Sequence, residues 1–114
     1  MTGAAAFAEA FLAGDVDRAA ALLPEDVTFH SPVRDYHGRE RVAAVLSMVV
    51  RVLGRGEIES VLDGDGETAT FFTAQVGDGT LEGVVRTRGS DVTLMARPLR
   101  VLLPAVEELA KAAP

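Results

Sequence analysis

Hydrophobic residues in the first part of the chain recur at helical spacing. Phe7 and Phe11 stand four positions apart in an alanine-rich segment, so a helix would place both rings on one face. Gly14 predicts the end of this helix. Asp15 is a suitable N-cap for a second short helix over residues 16–23, because its carboxylate can accept hydrogen bonds from the free amides of the first turn.

The segment after these helices alternates as a strand does. Val27, Phe29 and Ser31 fall on one face, and the residues between them fall on the other. Residues 36–38 then form a segment rich in turn formers. A third helix follows, with one buried face made by apolar residues at helical spacing: Val42, Val45, Leu46, Val49 and Leu53.

The second half of the chain predicts an antiparallel meander. Four strand-forming segments are separated by turns rich in glycine and aspartate, and they cover residues 57–62, 68–76, 81–88 and 92–97. Helices followed by a meander indicate an α+β domain, in which the helices cover the apolar face of a curved sheet.

Two features near the C-terminus are less determined. The last strand has two candidate inner faces, Thr93, Met95 and Arg97 or Val92, Leu94 and Ala96, and the sequence leaves this choice open. The terminal segment predicts a short helix with Pro104 in its first turn and an apolar face of Leu102, Ala105, Val106 and Leu109.

Composition places the chain among globular proteins. It has 114 residues, of which 48% are hydrophobic and 25% charged, so we expect residues 1–114 to form one domain with one core. The net charge of -6 comes from scattered carboxylates, and no cluster of Lys and Arg predicts a nucleic-acid partner. The absence of cysteine excludes disulfides, thiolate metal sites and cysteine nucleophiles.

No segment has the pattern of a signal peptide or a membrane span. The N-terminus lacks a basic stretch and reaches Glu9 early, which predicts a helix rather than a leader. The most apolar stretch, residues 42–53, carries Ser47 and Arg51 and is too short to cross a bilayer of about 30 Å. We therefore expect a soluble, cytoplasmic protein with no membrane partner.

Four short runs resemble a known family. The runs FLAGDVD at residues 11–17, DVTFHSPV at 26–33, YHGRE at 36–40 and MARPL at 95–99 are similar to SnoaL-like members of the NTF2-like superfamily. This resemblance implies a cone with a cystatin-like fold, in which N-terminal helices pack on a curved antiparallel sheet that is mixed at its edge and encloses an apolar pocket. The superfamily contains isomerases, cyclases, hydrolases and non-catalytic members, so the reaction has to be argued from the site.

The resemblance also implies where an isomerase would carry its chemistry. Relatives of ketosteroid isomerase use a tyrosine on the first helix and a protonated aspartate on a central strand as hydrogen-bond donors, and a carboxylate before the strand-ending proline as the base. The matching positions here hold Phe7, Val85 and Ser31. Since none of these supplies the required group, we predict no steroid isomerase activity, and whether the protein is an enzyme stays open.

The predicted pocket is apolar with few polar groups. Alternation and the resemblance together place Tyr36 near its rim and the following residues along its wall: Phe7, Phe11, Phe29, Ser31, Phe72, Ala74 and Val85. Such a lining suits a small apolar organic molecule held by one or two hydrogen bonds. The alternative for each residue is that it simply fills the core.

Titratable residues give only weak candidates for catalysis. His30 alternates away from Phe29 and should face the outer side of the sheet, whereas His37 lies in the predicted turn and could reach the pocket mouth. Residues 63–67 contain three acidic residues but lack the ligand spacing of a calcium loop, so they predict a hairpin turn. No metal or cofactor is expected.

The outer face of the sheet predicts a contact with a second copy of the chain. It mixes apolar and polar residues, namely Phe71, Thr73, Gln75, Val84 and Arg86, and we expect a homodimer through them. Two functions therefore remain: a small-molecule-binding protein with isomerase, cyclase or hydrolase activity undecided, or a non-catalytic dimerisation or protein-interaction domain with a vestigial cavity. The sequence does not identify the ligand.

Overall fold

The computed structural model describes residues 3–98, which form three helices and six strands. In chain order these are α1 (Gly3–Leu12), α2 (Val16–Ala21), β1 (Thr28–His30), β2 (Asp35–His37), α3 (Arg39–Leu53), β3 (Gly56–Gly64), β4 (Glu67–Val76), β5 (Gly79–Arg88) and β6 (Asp91–Arg97). The predicted C-terminal helix lies outside the described residues. Within residues 3–98, none of the helices is both long and apolar enough to cross a bilayer.

The helices begin and end for the reasons that the sequence supplies. The Asp15 side chain accepts a hydrogen bond from the Arg18 amide and caps α2, which ends at Ala21, two residues before the predicted boundary. Gly54, with φ of 63°, ends α3 in a conformation that favours glycine. The three helices predicted within the described residues are therefore confirmed.

The strands form one mixed sheet in the order β2-β1-β6-β5-β4-β3. Strands β3 to β6 are the predicted antiparallel meander, while β1 pairs with β6 in parallel, with Phe29 opposite Val92. This parallel pair joins the N-terminal half of the chain to the meander. The α+β expectation is confirmed.

Strand β2 corrects the sequence prediction of a turn at residues 36–38. Tyr36 and His37 belong to a three-residue strand that pairs with β1 in a tight hairpin. The Ser31 amide donates to the Arg34 carbonyl across this hairpin, at 3.1 Å. Strand β2 has Tyr36 as its one apolar residue and is followed by Gly38, so the sequence pattern favoured a turn.

The core lies between the helices and the concave face of the sheet. Strands β4, β5 and β6 alternate, so that every second side chain is buried against the helices. In β6 the buried residues are Val92 and Leu94, which settles the choice that the sequence left open. The opposite, convex face carries the intervening residues.

Packing on the concave face is tight around Phe72. A Cβ atom built at Gly83 would lie 2.5 Å from Cζ of the Phe72 ring, and one at Gly56 would lie 2.9 Å from Leu12 Cδ2. These two glycines therefore let the ring and the first helix approach the strand backbones. The register of β3 shifts between Ile58 and Ser60, and such a bulge increases the twist and bend of an edge strand.

Candidate functional site

Seven of the eight residues predicted to line a pocket lie together in one hydrophobic cluster. None is more than 4% exposed: Phe7, Phe11, Phe29, Tyr36, Phe72, Ala74 and Val85. The rings of Phe7 and Phe11 are stacked with centroids 6.1 Å apart, as their spacing on one helical face predicts. The helices and the concave face of the sheet thus bring these side chains together.

Ser31 does not belong to this cluster. Strand β1 ends at His30, and the Ser31 side chain turns back on its own loop, where its hydroxyl donates to the Arg34 carbonyl at 2.8 Å. The same oxygen accepts from the amides of Val33 and Arg34, each at 3.1 Å. The prediction that Ser31 faces inward is therefore wrong, because the alternation was extended one residue beyond the strand.

Three threonines add polar groups to the concave face. Thr68, Thr70 and Thr87 are buried, and they are the only buried polar or charged residues among residues 5–98 apart from Tyr36. Thr68 donates to Asp63 Oδ1. The hydroxyls of Tyr36, Thr70 and Thr87 have no hydrogen-bond partner in the described part of the chain.

An unpartnered hydroxyl in a protein interior is unusual. Most buried side-chain polar atoms have a partner, and leaving one without costs about 1–3 kcal/mol of folding free energy. Three such groups on one face of a small sheet, in a cluster that is otherwise apolar, therefore call for a functional explanation. The threonines were not among the predicted pocket residues, although Thr68 and Thr70 continue the alternation that placed Phe72 and Ala74 inside.

The register of the sheet relates these hydroxyls to one another. Tyr36 of β2 pairs with Phe29 of β1, and Phe29 pairs with Val92 of β6. Val92 in turn pairs with Thr87 of β5, and Thr87 pairs with Thr68 of β4. Tyr36 and Thr87 therefore lie in one row across the concave face, three strands apart.

Thr70 and Thr87 are much closer to each other than to Tyr36. Thr70 pairs with Val85, two positions from Thr87 on the same strand. The two threonines are therefore diagonal neighbours, with Cα atoms about 7–8 Å apart.

Two grooves open beside these groups. One lies between α2, β2 and α3, has a volume of about 1250 Å³, and is lined by Tyr36, His37 and an apolar floor that includes Met48. Its rim carries both acidic and basic side chains. The other lies at the β3–β4 hairpin, has a volume of about 280 Å³, and is lined by Thr68, Thr87 and the acidic residues of the turn.

The structure places His30 on the convex face, between two carboxylates. Its Nδ1 lies 2.8 Å from Asp35 Oδ1 and its Nε2 lies 3.0 Å from Asp91 Oδ1. The hydrogen bond to Asp91, followed by that to Asp35, raises the pKa of His30 above its ordinary value. His30 therefore ties β2, β1 and β6 together and lies on the face opposite the hydrophobic cluster.

His37 lies in strand β2 rather than in a turn. Its Nδ1 is 3.1 Å from Thr28 Oγ1, and its exposed ring stands on the rim of the groove between α2 and α3. Of the predicted pocket residues only Tyr36 lines this groove, so it is not the pocket whose mouth His37 was expected to reach. No carboxylate of the described residues bonds to the His37 ring.

Other charged residues pair across the convex face. Glu67 accepts two hydrogen bonds from the Arg86 guanidinium, each 3.1 Å long, and this interaction lowers the pKa of Glu67. Arg97 Nε lies 3.7 Å from Glu82 Oε2. Among residues 3–98, no group of three acidic or histidine side chains is arranged to hold a metal ion.

The convex face also exposes apolar side chains. Phe71 is 39% exposed and Met95 is 49% exposed, and Val84 pairs with both across β4, β5 and β6. These three residues line a shallow groove of about 440 Å³ whose rim carries Glu59, Glu82 and Arg97.

Helices packed on the concave face of a curved, mixed sheet define the class of cone-shaped α+β proteins with a cystatin-like or NTF2-like fold. Within that class, the chain belongs to the SnoaL-like family, because the family model of the SnoaL-like domain matches residues 4–97. The resemblance seen in the four sequence runs is confirmed.

Three solved structures illustrate the likeness. An uncharacterized protein with a cystatin-like fold from Silicibacter pomeroyi is 27% identical, with a TM-score of 0.78 over 93% of this chain and 85% of that one. A steroid delta-isomerase from Pseudomonas aeruginosa is 26% identical, with a TM-score of 0.81 over 97% of this chain and 91% of that one. A de novo designed protein with a curved β-sheet is 15% identical, with a TM-score of 0.78 over 97% of this chain and 98% of that one, which shows the fold alone. Comparison with curated proteins gives no match.

Proposed function

We propose that this protein binds a small, mainly apolar organic molecule on the concave side of its sheet. The observation that carries the proposal is the set of three buried hydroxyls, on Tyr36, Thr70 and Thr87, that have no partner within residues 5–98. An apolar site with a few polar groups is the usual design for recognising a small molecule. Thr70 and Thr87 are near enough to serve one ligand atom, whereas Tyr36 lies three strands away from Thr87. The hydroxyls lower the stability of the folded chain, and a ligand that bonds to them would offset that cost.

The proposal is for binding rather than for steroid isomerisation. The isomerase from Pseudomonas aeruginosa is similar in fold. The positions that the family resemblance assigns to an isomerase's hydrogen-bond donors and base hold Phe7, Val85 and Ser31 in this chain. Phe7 and Val85 are buried in the apolar cluster, and the Ser31 hydroxyl is used by its own turn. The described buried residues include neither a carboxylate nor an imidazole that could move a proton.

A fluorescent probe tests this proposal. N-phenyl-1-naphthylamine is uncharged and brightens in apolar surroundings, and the absence of tryptophan leaves its signal clear of protein emission. We expect saturable binding of one probe per chain. Ala74→Leu fills the concave face and should weaken binding at least tenfold.

Ala69→Leu is the matched control, because Ala69 is on the same strand but pairs with Arg86 on the convex face. It should bind the probe as the unchanged chain does. Ala74→Val replaces Ala74→Leu if the larger side chain prevents folding. A wild-type chain that does not bind the probe, or an Ala74 variant that binds it normally, would contradict the proposal.

A second candidate function is dimerisation through the convex face, and the exposure of Phe71 and Met95 favours it. The partner we propose is a second copy of the chain. The rim of the convex groove carries both signs of charge, so a twofold arrangement can set Arg97 of one copy against Glu59 of the other.

Sedimentation velocity at micromolar concentration measures this association. We expect a dimer that Val84→Glu converts to a monomer, because Val84 is central to the exposed apolar residues. Leu22→Glu is the control, since Leu22 is an exposed apolar residue at the end of α2 and lies outside the groove. A monomeric wild-type chain would refute the dimer without affecting the proposal of a ligand site.

A further inference from the structure

We infer that Thr70 and Thr87 form a polar subsite that recognises an uncharged oxygen of the ligand, such as a hydroxyl or a carbonyl, and rejects ionised groups. This inference rests on the proposed function, because it specifies the chemical class of molecule that the concave face takes.

The two hydroxyls are placed to share one ligand atom. Thr70 is 1% exposed and Thr87 is 9% exposed, and neither hydroxyl oxygen has a partner in the described chain. They are diagonal neighbours on β4 and β5. One oxygen that makes two hydrogen bonds of about 2.8 Å can join hydroxyls up to about 5.5 Å apart, which is within the reach of side chains on diagonal neighbours.

The neighbouring Thr68 hydroxyl has a hydrogen-bond partner, unlike those of Thr70 and Thr87. Thr68 is on the same face as Thr70 and pairs directly with Thr87, yet its own hydroxyl donates to Asp63. The lack of a partner is therefore specific to Thr70 and Thr87 at this end of the sheet. The hairpin groove reaches Thr87 from outside but is not lined by Thr70, so a ligand that bonds to both hydroxyls must extend from the groove into the buried face.

The surroundings select against charge. The buried polar and charged residues described are three threonines, so an ionised ligand group would have no counter-ion there. The hairpin groove is lined by Asp63 and Asp65, which repel an approaching anion, and by Glu67, which is paired with Arg86. A cation is attracted to the carboxylates of the groove, but at the buried threonines it loses its hydration without a counter-ion. A hydroxyl or carbonyl group can bond to both threonines without these costs, because a threonine hydroxyl both donates and accepts.

Four probes that share one ring system test the inference by titration calorimetry at pH 7. Naphthalene supplies the ring alone, 2-naphthol adds a neutral hydroxyl, 2-naphthoate an anion and 2-naphthylmethylammonium a cation. We expect 2-naphthol to bind about tenfold more tightly than naphthalene, because one or two net hydrogen bonds are worth about 1.4 kcal/mol. Both ions should bind at least tenfold more weakly than 2-naphthol.

Variants test whether Thr70 and Thr87 cause the preference for 2-naphthol over naphthalene. Thr70→Val and Thr87→Val should each bring 2-naphthol close to the affinity of naphthalene while leaving naphthalene unchanged. Thr70→Ser keeps the hydroxyl and should keep the preference. Thr73→Val changes a threonine of the same strand outside the hydrophobic cluster and should have no effect.

The outcomes separate the subsite from the proposed function. If naphthalene and 2-naphthol bind equally, or if an ion binds best, the subsite is refuted while small-molecule binding stands. The same holds if the Thr→Val variants keep the preference for 2-naphthol. If none of the four probes binds, both the subsite and the proposed function fail.

Discussion

The two faces of the sheet differ in whether their polar side chains have partners, although alternating residues of the same strands build both faces. On the convex face, His30 lies between two aspartates, Glu67 is held by Arg86, and Glu82 is near Arg97. On the concave face, three hydroxyls are buried without a partner. The charged pairs of the convex face hold strands together. The concave hydroxyls lower stability and are therefore better explained by binding than by folding.

The largest difference in stability between the two faces is expected when each of two adjacent phenylalanines is replaced by alanine. Phe72 is buried on the concave face and Phe71 is 39% exposed on the convex face. Phe72→Ala should lower the free energy of unfolding by about 3–5 kcal/mol because it leaves a cavity. Phe71→Ala should lower it by less than about 1 kcal/mol.

Urea unfolding at low protein concentration, where a dimer would dissociate, measures both values. Equal losses for the two variants would mean that the faces are not distinguished by burial, and the separation of a concave core from a convex surface would be wrong.

A smaller effect on stability is expected from two threonines of β4, where the same Thr→Val change should act in opposite directions. Thr68→Val removes a hydroxyl that bonds to Asp63 and should destabilise the chain by about 1 kcal/mol. Thr70→Val removes a hydroxyl without a partner and should leave stability unchanged or raise it by about 1 kcal/mol. Thermal unfolding of the two variants beside the wild type checks the sign. A clear loss in Thr70→Val would show that its hydroxyl already serves the fold.

The smallest effect is expected from His30. A neutral imidazole has one N–H donor, so bonding to both Asp35 and Asp91 requires the protonated ring. The pKa of His30 is raised in the folded chain above its ordinary 6.5. Its contribution is therefore complete below pH 6.5 and is lost as the pH rises through the folded pKa. Because all three side chains are more than a third exposed, solvent screening keeps this contribution below about 1 kcal/mol.

Unfolding measured from pH 6 to pH 8.5 tests this sign. The wild type should lose a little stability across this range relative to His30→Asn. A wild-type chain that gains stability relative to His30→Asn as the pH rises would contradict the account.

Most of the fold could be predicted because its elements are long enough to show a period. The three helices and the four long strands follow from apolar spacing, caps and glycine-rich turns. Strand β2 could not be predicted, since it has one apolar residue, Tyr36, and its hairpin depends on the turn made by Ser31. The contact of His30 with Asp91, 61 residues away, depends on the parallel pairing of β1 with β6, which no local pattern indicates.

The candidate site could be predicted only in part. Helical spacing, strand alternation and the family resemblance together located seven residues of the concave cluster. The alternation also placed Ser31 inside, because it was extended past the end of β1. The same alternation also predicts that Thr68 and Thr70 are buried, since they share a face with Phe72. Whether a hydroxyl finds a partner depends on side-chain positions on neighbouring strands, and the sequence does not encode these locally.

The most direct test of the central claim is a crystal structure of the protein grown with 2-naphthol. The account predicts the ring on the concave side of the sheet, with its oxygen within hydrogen-bond distance of the Thr70 and Thr87 hydroxyls. A ring bound only on the convex face, or a concave face unchanged at saturating 2-naphthol, would contradict it.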